Sequence, residues 1–422
     1  MSAPVLLDIS RLIWRGRRTG PSGIDRVELA YAQHFLAADA VRPVYAVVHL
    51  LGWLFGVSPS GARRFVAAVA ARWEGHAPEV DRTHANGLFA LYRTLFLGRW
   101  RVGFQLRGLL KAHHEPPIFL VVSHHHLSRE YTMRSIRRSF GARCICFLHD
   151  LLPIDYPEYF QPGKEQGYRR VARIITHLFD AVIANSQTTA DSLRHFRSSE
   201  PGQTLPAATI HVARPGVSAF PRPRNIPVPH GPQSVAYFIV LGTIEPRKNH
   251  LLLLNLWTRL ATTMATPPRL LVIGARGWEN EQAVDMLERS GRLRGLVEEH
   301  NRLSDTAIGS LLGQARALLA PSFAEGFGLP LAEALASGVP VICSDIPVFR
   351  EVGQDVPDYV DPLDLMAWRE TIVDYARPDS PRRAAQMQRL AHWQAPLWTD
   401  HFAIVERALD EAADHPMTTP KT

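Results

Sequence analysis

Short apolar runs recur along the chain at residues 5–9, 118–122, 144–148 and 181–184, and again at 234–241, 270–274, 317–320 and 339–343, with a further, more polar strand-like run at 296–300. Their brevity and their near-continuous apolar character read as strands buried on both faces, the pattern of a parallel sheet. Between them lie helical stretches such as 27–35, 306–315 and 331–337, so strand and helix alternate and the expected class is α/β. The series breaks at a Pro-rich string over 220–232, which reads as a linker. The expected organisation is a first α/β domain over 1–219, a second over 233–395 and a terminal helix over 396–415.

Residues 50–117 depart from that regularity. The most hydrophobic run, 44–57, contains His49 and falls short of the roughly 20 residues a membrane-crossing helix requires. Asp8 and Arg11 interrupt the start of the chain before the apolar core of a signal peptide forms. The segment 88–111, LFALYRTLFLGRWRVGFQLRGLLK, holds five basic and no acidic residues among aromatic and leucine side chains. That composition suits an amphipathic helix on an anionic membrane surface, and equally an ordinary core helix with a solvated basic side.

At 422 residues the chain is too long for one ordinary core, and its 46% hydrophobic and 21% charged residues are those of a globular protein. A formal charge of +7 calls for an anionic partner: nucleic acid, an anionic membrane face or a phosphorylated substrate. All three remain open on charge alone, although no nucleic-acid-binding module is recognisable. Cys144, Cys146 and Cys343 lie inside apolar runs and read as buried thiols of a reducing compartment. The Cys144 and Cys146 pair has no second pair to complete a zinc site. Consecutive His124, His125 and His126 cannot all turn from a strand end to one ion, so no metal is expected.

Candidate chemistry concentrates in PSFAEGFGLPLAE, residues 321–333. The run at 317–320 leads into it, Pro330 suits a first helical position, Gly338 suits a left-handed stop, and the run at 339–343 follows. Such a βαβ unit sets the loop at the carboxyl end of a strand, where α/β sheets bind ligands. Gly326 and Gly328 let backbone amides approach a ligand closely, and the helix start adds unpaired N–H groups with partial positive charge. Glu325 and Glu333, with seven residues between them, flank that site, and carboxylates accept the paired donors of vicinal diols. The alternative is that Glu333 only complements the helix dipole and the glycines only shape a turn.

A second loop, G-x-x-x-P-R-K-N over 242–249, opens with Gly242 and sets Arg247 and Lys248 at a strand-to-helix turn. Two fixed cations beside a helix N-terminus neutralise a diphosphate without metal, and no D-x-D triplet occurs in the chain. In the first half, the run at 144–148 delivers His149 and Asp150 to a strand end. The basic, Gly-rich stretch 15–26 between the first strand and the helix at 27–35 suits phosphate, or is a flexible basic loop. Residues 185–191 read as a strand-to-helix cap, with Asp191 three residues beyond Thr188.

The string E-G-F-G-L-P-x-x-E resembles the E-x7-E motif of the retaining GT-B glycosyltransferases of family 4, and the 242–249 loop resembles the diphosphate clamp of that family. The likeness is dense over 242–362, moderate over 8–36 and 149–216, and poor over 50–117. It implies a GT-B architecture, two Rossmann-like domains facing across a cleft, with the helix at 398–409 crossing back to the first. By the same resemblance Glu325 contacts the transferred sugar and Glu333 the ribose. Backbone around Gly326, Phe327, Gly328 and Leu329 holds sugar hydroxyls, and the base lies against loops of the 270–306 region. Arg247 and Lys248, beside Gly242, hold the diphosphate, Gly23 approaches it from the first domain, and His149 hydrogen-bonds the sugar.

The catalytic set would then be His149, Arg247, Lys248 and Glu325, without metal or other cofactor. The implied function is retaining transfer of a hexose, mannose being one candidate, from a nucleotide-diphosphate sugar to a glycan or lipid-linked acceptor. It would serve bacterial exopolysaccharide or lipopolysaccharide synthesis in the cytoplasm, at the inner membrane face. Three rivals stand beside it. A nucleic-acid-binding protein would account for the charge and show strongly salt-dependent binding. A sugar-nucleotide epimerase would convert the nucleotide sugar alone, and a non-catalytic scaffold of a polysaccharide assembly complex would have lost the clamp.

Overall fold

A computed structural model describes residues 2–16, 21–50, 53–73, 102–124, 127–200, 208–221, 235–301 and 303–414. Among these, β1 (Val5–Asp8), β2 (Val44–Leu50), β3 (Trp53–Gly56), β4 (Ile118–Val121), β5 (Arg143–Leu148), β6 (Ala181–Ala184) and β7 (Thr209–Val212) form one sheet in the order β3-β2-β1-β4-β5-β6-β7. Its pairs are parallel except for the β2–β3 hairpin. β1, β4, β5 and β6 are buried throughout, because helices cover both faces. Gly23–Phe35, Pro59–Trp73 and Trp398–Asp414 pack on one face; Glu130–Phe140, Lys164–Leu178 and Gln187–Ser199 pack on the other.

The second sheet is parallel and ordered β10-β9-β8-β11-β12-β13. Its strands are β8 (Tyr237–Leu241), β9 (Arg269–Ile273), β10 (Val297–His300), β11 (Leu318–Ala320), β12 (Val341–Ser344) and β13 (Asp358–Val360). Strand order reverses between β1 and β4 in the first sheet and between β8 and β11 in the second. Loops leaving the carboxyl ends at such a reversal line the crevice where α/β sheets hold ligands. The last helix, Trp398–Asp414, buries Phe402, Val405, Ala408 and Leu409 in the core of the first sheet. Its His401 bonds Tyr31 Oη at 2.9 Å and the Arg214 carbonyl at 3.0 Å.

Several element boundaries differ from expectation. The helix anticipated at 27–35 begins at Gly23, because Ser22 Oγ accepts from Asp25 N while Asp25 accepts from Ser22 N; residues 23–26 are therefore helix and not loop. Ser304 caps Asp305–Leu312, which ends before 315. The helix at 331–337 begins at Leu329 after Gly328, which makes Pro330 its second residue. The cap after β6 is Ser186, whose Oγ accepts from Thr189 N at 3.0 Å, whereas Asp191 pairs with Arg194. The irregular stretch 50–117 contains β3, Pro59–Trp73 and Val102–Leu110; residues 88–101 of its basic segment, Ser234 and residues 222–232 of the linker lie outside the described residues.

Candidate active site

β8 ends at Leu241 and turns through Gly242, with φ of +138°, into a single helical turn, Pro246–Lys248. Asn249, at φ +54°, closes that turn and opens the His250–Thr263 helix, its Nδ2 donating to the Pro362 carbonyl at 3.1 Å. This sharp reversal projects Arg247 and Lys248 toward the loop that follows β11. Phe323 N donates to the Arg247 carbonyl at 2.8 Å and binds the two loops together.

Arg247, Lys248 and Glu325 meet in one buried cluster. Arg247 Nη1 donates to Glu325 Oε2 at 2.7 Å and to the Ala324 carbonyl at 2.9 Å, and its Nη2 lies 2.6 Å from Glu245 Oε1. Lys248 Nζ pairs with Glu325 Oε1, which also accepts from Ser322 Oγ at 2.9 Å. Burial by itself would push the Glu325 carboxyl up, but the charges of Arg247 and Lys248 hold it down at about 2. Burial raises the Glu245 and Asp150 carboxyls from their ordinary values, with Arg247 opposing both. Arg247 and Lys248 are thus matched by carboxylates.

Beyond Glu325 the backbone turns through Gly326, Phe327 and Gly328. A Cβ on Gly326 would lie 2.5 Å from the His149 carbonyl, so a side chain has no room where the second domain meets the end of β5. Gly328 has φ of +85°, and a Cβ there would press on Phe349 at 2.7 Å. Phe327 is buried in the core of the second sheet. No side chain caps the Leu329–Ala336 helix, whose leading N–H groups face the turn. Across the cleft, Gly23 abuts Leu329: a Cβ on Gly23 would lie 2.7 Å from Leu329 Cδ1.

His149 leaves β5 almost fully buried. Its Nε2 lies 2.8 Å from the Val122 carbonyl, which only accepts, so Nε2 carries the proton and Nδ1 is left as an acceptor. Burial, reinforced by His124, lowers its pKa to about 3. At neutral pH the ring is therefore uncharged, with Nδ1 able to accept a hydrogen bond and no imidazolium to act as an acid.

Glu333 sits in the Leu329–Ala336 helix with 13% of its side chain exposed, and its Oε1 lies 3.9 Å from Arg26 Nε. Burial raises its carboxyl to about 7 against the opposing pull of Arg26. Arg26 also binds Asp305 through both terminal nitrogens, at 2.7 and 2.6 Å. A cavity of about 480 Å³, lined by Arg276, Glu299, His300, Asn301 and Leu303, opens at the carboxyl ends of β9 and β10. Among the described residues no cluster of three or more His, Cys, Asp or Glu is placed to hold a metal ion.

Two family models match the chain: Glycosyltransferase Family 4 over residues 61–219 and Glycosyl transferases group 1 over 223–356. The chain belongs to this glycosyltransferase family. Its similarity to solved structures agrees. The sucrose-phosphate synthase of Thermosynechococcus elongatus superposes with a TM-score of 0.60 at 15% identity, covering 97% of this chain and all of that one. The Anabaena HepE protein in complex with UDP and glucose gives 0.61 at 15%, covering 96% and 99%. The fold is GT-B.

Sequence relatives carry narrower names. A serotype-specific mannosyltransferase, WbdA, of Escherichia coli is 29% identical over 229 residues, 52% of this chain and 28% of its own length. O-antigen chain mannosyltransferase B of Escherichia coli is 35% identical over 162 residues, 38% and 42%. The Salmonella typhimurium O-antigen chain mannosyltransferase RfbU is 28% identical over 241 residues, 56% and 62%. The chain therefore spans less than two thirds of the length of each.

In this glycosyltransferase the sequence pattern missed residues that join the domains. Ser186 Oγ donates to the Gly326 carbonyl at 2.7 Å, with Thr189 Oγ1 at 3.3 Å. Glu351 accepts from Gln187 N and Thr188 N at 2.8 and 3.2 Å. Trp278 Nε1 donates to the Tyr159 carbonyl at 3.3 Å, while the Tyr159 ring stacks on Phe323. Serine and threonine at a helix start signal a cap, and nothing local marks the second partner across the cleft. Arg26 and Glu245 were equally illegible as site residues.

Proposed function

We propose that this glycosyltransferase transfers a hexose, mannose by the names of its relatives, from a nucleotide-diphosphate sugar with retention of configuration. The acceptor is a glycan or lipid-linked saccharide of a bacterial surface polysaccharide, reached from the cytoplasmic side of the membrane. The observation that carries this reading is the convergence of Arg247, Lys248 and Glu325 beside the uncapped Leu329–Ala336 helix, with Glu333 farther along it and His149 opposite.

The donor diphosphate takes the place of the Glu325 carboxylate against Arg247 and Lys248. Freed Glu325 accepts sugar hydroxyls together with His149 Nδ1, Glu333 accepts the ribose diol, and the base enters the cavity beside β9 and β10. As the bond from the anomeric carbon to the diphosphate oxygen breaks, its electron pair stays on that oxygen, where both cations and the helix N-terminus stabilise it. The acceptor oxygen bonds the anomeric carbon on the same face, and its proton passes to the departing diphosphate. No glutamate is assigned as a covalent nucleophile in this scheme. No metal is required by this scheme.

Membrane attachment is part of the proposal. The Val102–Leu110 helix exposes Arg107 and Leu109, and Arg107 lies over Phe140 of the neighbouring helix, which exposes Tyr131. Exposed basic and apolar side chains on these two neighbouring helices suit anionic headgroups. Wild type should bind anionic vesicles and an Arg93/Arg99/Arg101/Arg107→Glu variant should not; equal binding would sink the idea.

The central test is thermal stability with UDP, GDP, ADP and dTDP, each with and without magnesium, in wild type and Arg247→Ala. A nucleotide at 100 times its dissociation constant adds about 2.7 kcal/mol. One base should stabilise without magnesium and lose most of the effect in the variant. The matching sugar nucleotide then goes to acceptor assays, with anomeric configuration read by NMR. Stabilisation by none of the four, or an inverted product, would overturn the reading.

A further inference from the structure

Arg26 belongs to the first domain, yet its guanidinium ends in the second. It rises from the Gly23–Phe35 helix and meets two carboxylates on separate helices, Asp305 on Asp305–Leu312 and Glu333 on Leu329–Ala336. Its terminal nitrogens grip Asp305 in a two-point pair, which aims Nε at Glu333. Arg26 and Asp305 are the charged groups that act on Glu333, the first favouring its ionised form and the second opposing it.

We propose that Arg26 is a positioning residue for the donor, carried in by domain closure, which orients Glu333 for the ribose hydroxyls and by its charge favours the carboxylate form. The proposal rests on reading Glu333 as the ribose acceptor. An ionised carboxylate takes both hydrogens of a diol, whereas a protonated one keeps a hydrogen of its own and takes them poorly. Asp305 anchors the guanidinium so that its charge reaches Glu333 only when the helices of the two domains approach. Closure and ribose binding thereby favour each other, as linkage requires. Burial raises the Glu333 carboxyl to about 7, so withdrawal of Arg26 shifts it further up and leaves it protonated at neutral pH.

The test is the pH dependence of donor affinity, measured by calorimetry with GDP-mannose and UDP-glucose, whose diphosphate diesters do not titrate across about pH 5.5 to 9. In wild type, affinity for whichever binds should rise with pH around a midpoint near 7. Arg26→Gln should move that midpoint upward and weaken neutral-pH binding about tenfold, with recovery at the alkaline end. Arg26→Lys, which keeps the charge but not the two-point grip on Asp305, should restore only part of the wild-type profile, and Glu333→Gln should flatten it. Melting temperatures of the variants show whether each is folded. A wild-type midpoint in Arg26→Gln, or a retained pH step in Glu333→Gln, would overturn the assignment. If Arg247→Ala still weakens donor binding, only the Arg26 proposal then fails; if wild type binds neither donor, the donor-site reading fails first.

Discussion

Arg247 and Lys248 stand in a site whose positive charge is already answered by Glu245 and Glu325. A diphosphate arriving there competes with a carboxylate. Arg247→Ala and Lys248→Ala should each lower turnover by on the order of 10²-fold, the loss expected for a removed transition-state donor; near-wild-type rates in both would remove the clamp from the mechanism. Glu325→Gln frees both cations, so it should bind the nucleoside diphosphate product about tenfold more tightly, roughly 1.4 kcal/mol, while turnover falls. Equilibrium binding and initial rates on the same preparation separate the two effects. His149, with a pKa near 3, should contribute no step to the kcat/KM profile between about pH 5 and 8. Replacing it by alanine should lower the rate without changing that profile's shape.

At the scale of the element, the Gly23–Phe35 helix depends on its first turn. Asp25, 1% exposed, accepts from Ser22, and Arg11 and Arg15 converge on its two oxygens at 2.8 Å each. Ser22→Ala should cost about 1 kcal/mol, as for other lost caps. Asp25→Asn should cost more, about 3 kcal/mol, because it strands two partly buried guanidinium groups. Burial opposes ionisation of Asp25, but Arg15, Arg11 and Ser22 together hold its pKa below the usual value. A carboxyl with a depressed folded pKa contributes fully above its unfolded pKa of about 3.9 and loses that contribution as pH falls through the folded value. Wild type and Asp25→Asn should therefore begin to converge in stability as pH falls below about 4 and meet only below the depressed folded pKa, which denaturant melts at several pH values would reveal. This cap was legible in the residues Ser22 and Asp25, three apart, yet the stretch read as loop because Arg15 to Gly23 is basic and Gly-rich. Pairing of both Arg11 and Arg15 with one buried aspartate supplies what composition alone could not.

At the scale of the molecule, the domains are joined by contacts between residues far apart in the chain. Ser186 reaches Gly326 across 140 positions and Arg26 reaches Asp305 across 279. Glu351 caps the Gln187–Ser199 helix from the other domain, and Arg214 adds a bond to it at 3.2 Å. Glu351→Ala should loosen closure while leaving each sheet intact: the radius of gyration from solution scattering should increase, donor KM should rise several-fold, and thermal stability should fall by only about 1 kcal/mol. An unchanged radius and KM would show that closure does not depend on this contact.

The pattern of residues by itself determined the α/β alternation, because a strand buried on both faces must be apolar along its length. It also determined the glycine turn and the adjacent Arg247 and Lys248, because those depend on neighbours within one loop. Tertiary structure alone decided the ionic state of the carboxylates. Glu325 and Glu333 stand in one motif and are alike on paper. Two cations meet the first and leave it ionised near 2, while the second, mostly buried with Arg26 at 3.9 Å, is poised near 7. Desolvation and Coulomb energy depend on which distant side chains fold back against a group, and spacing along the chain does not encode that proximity.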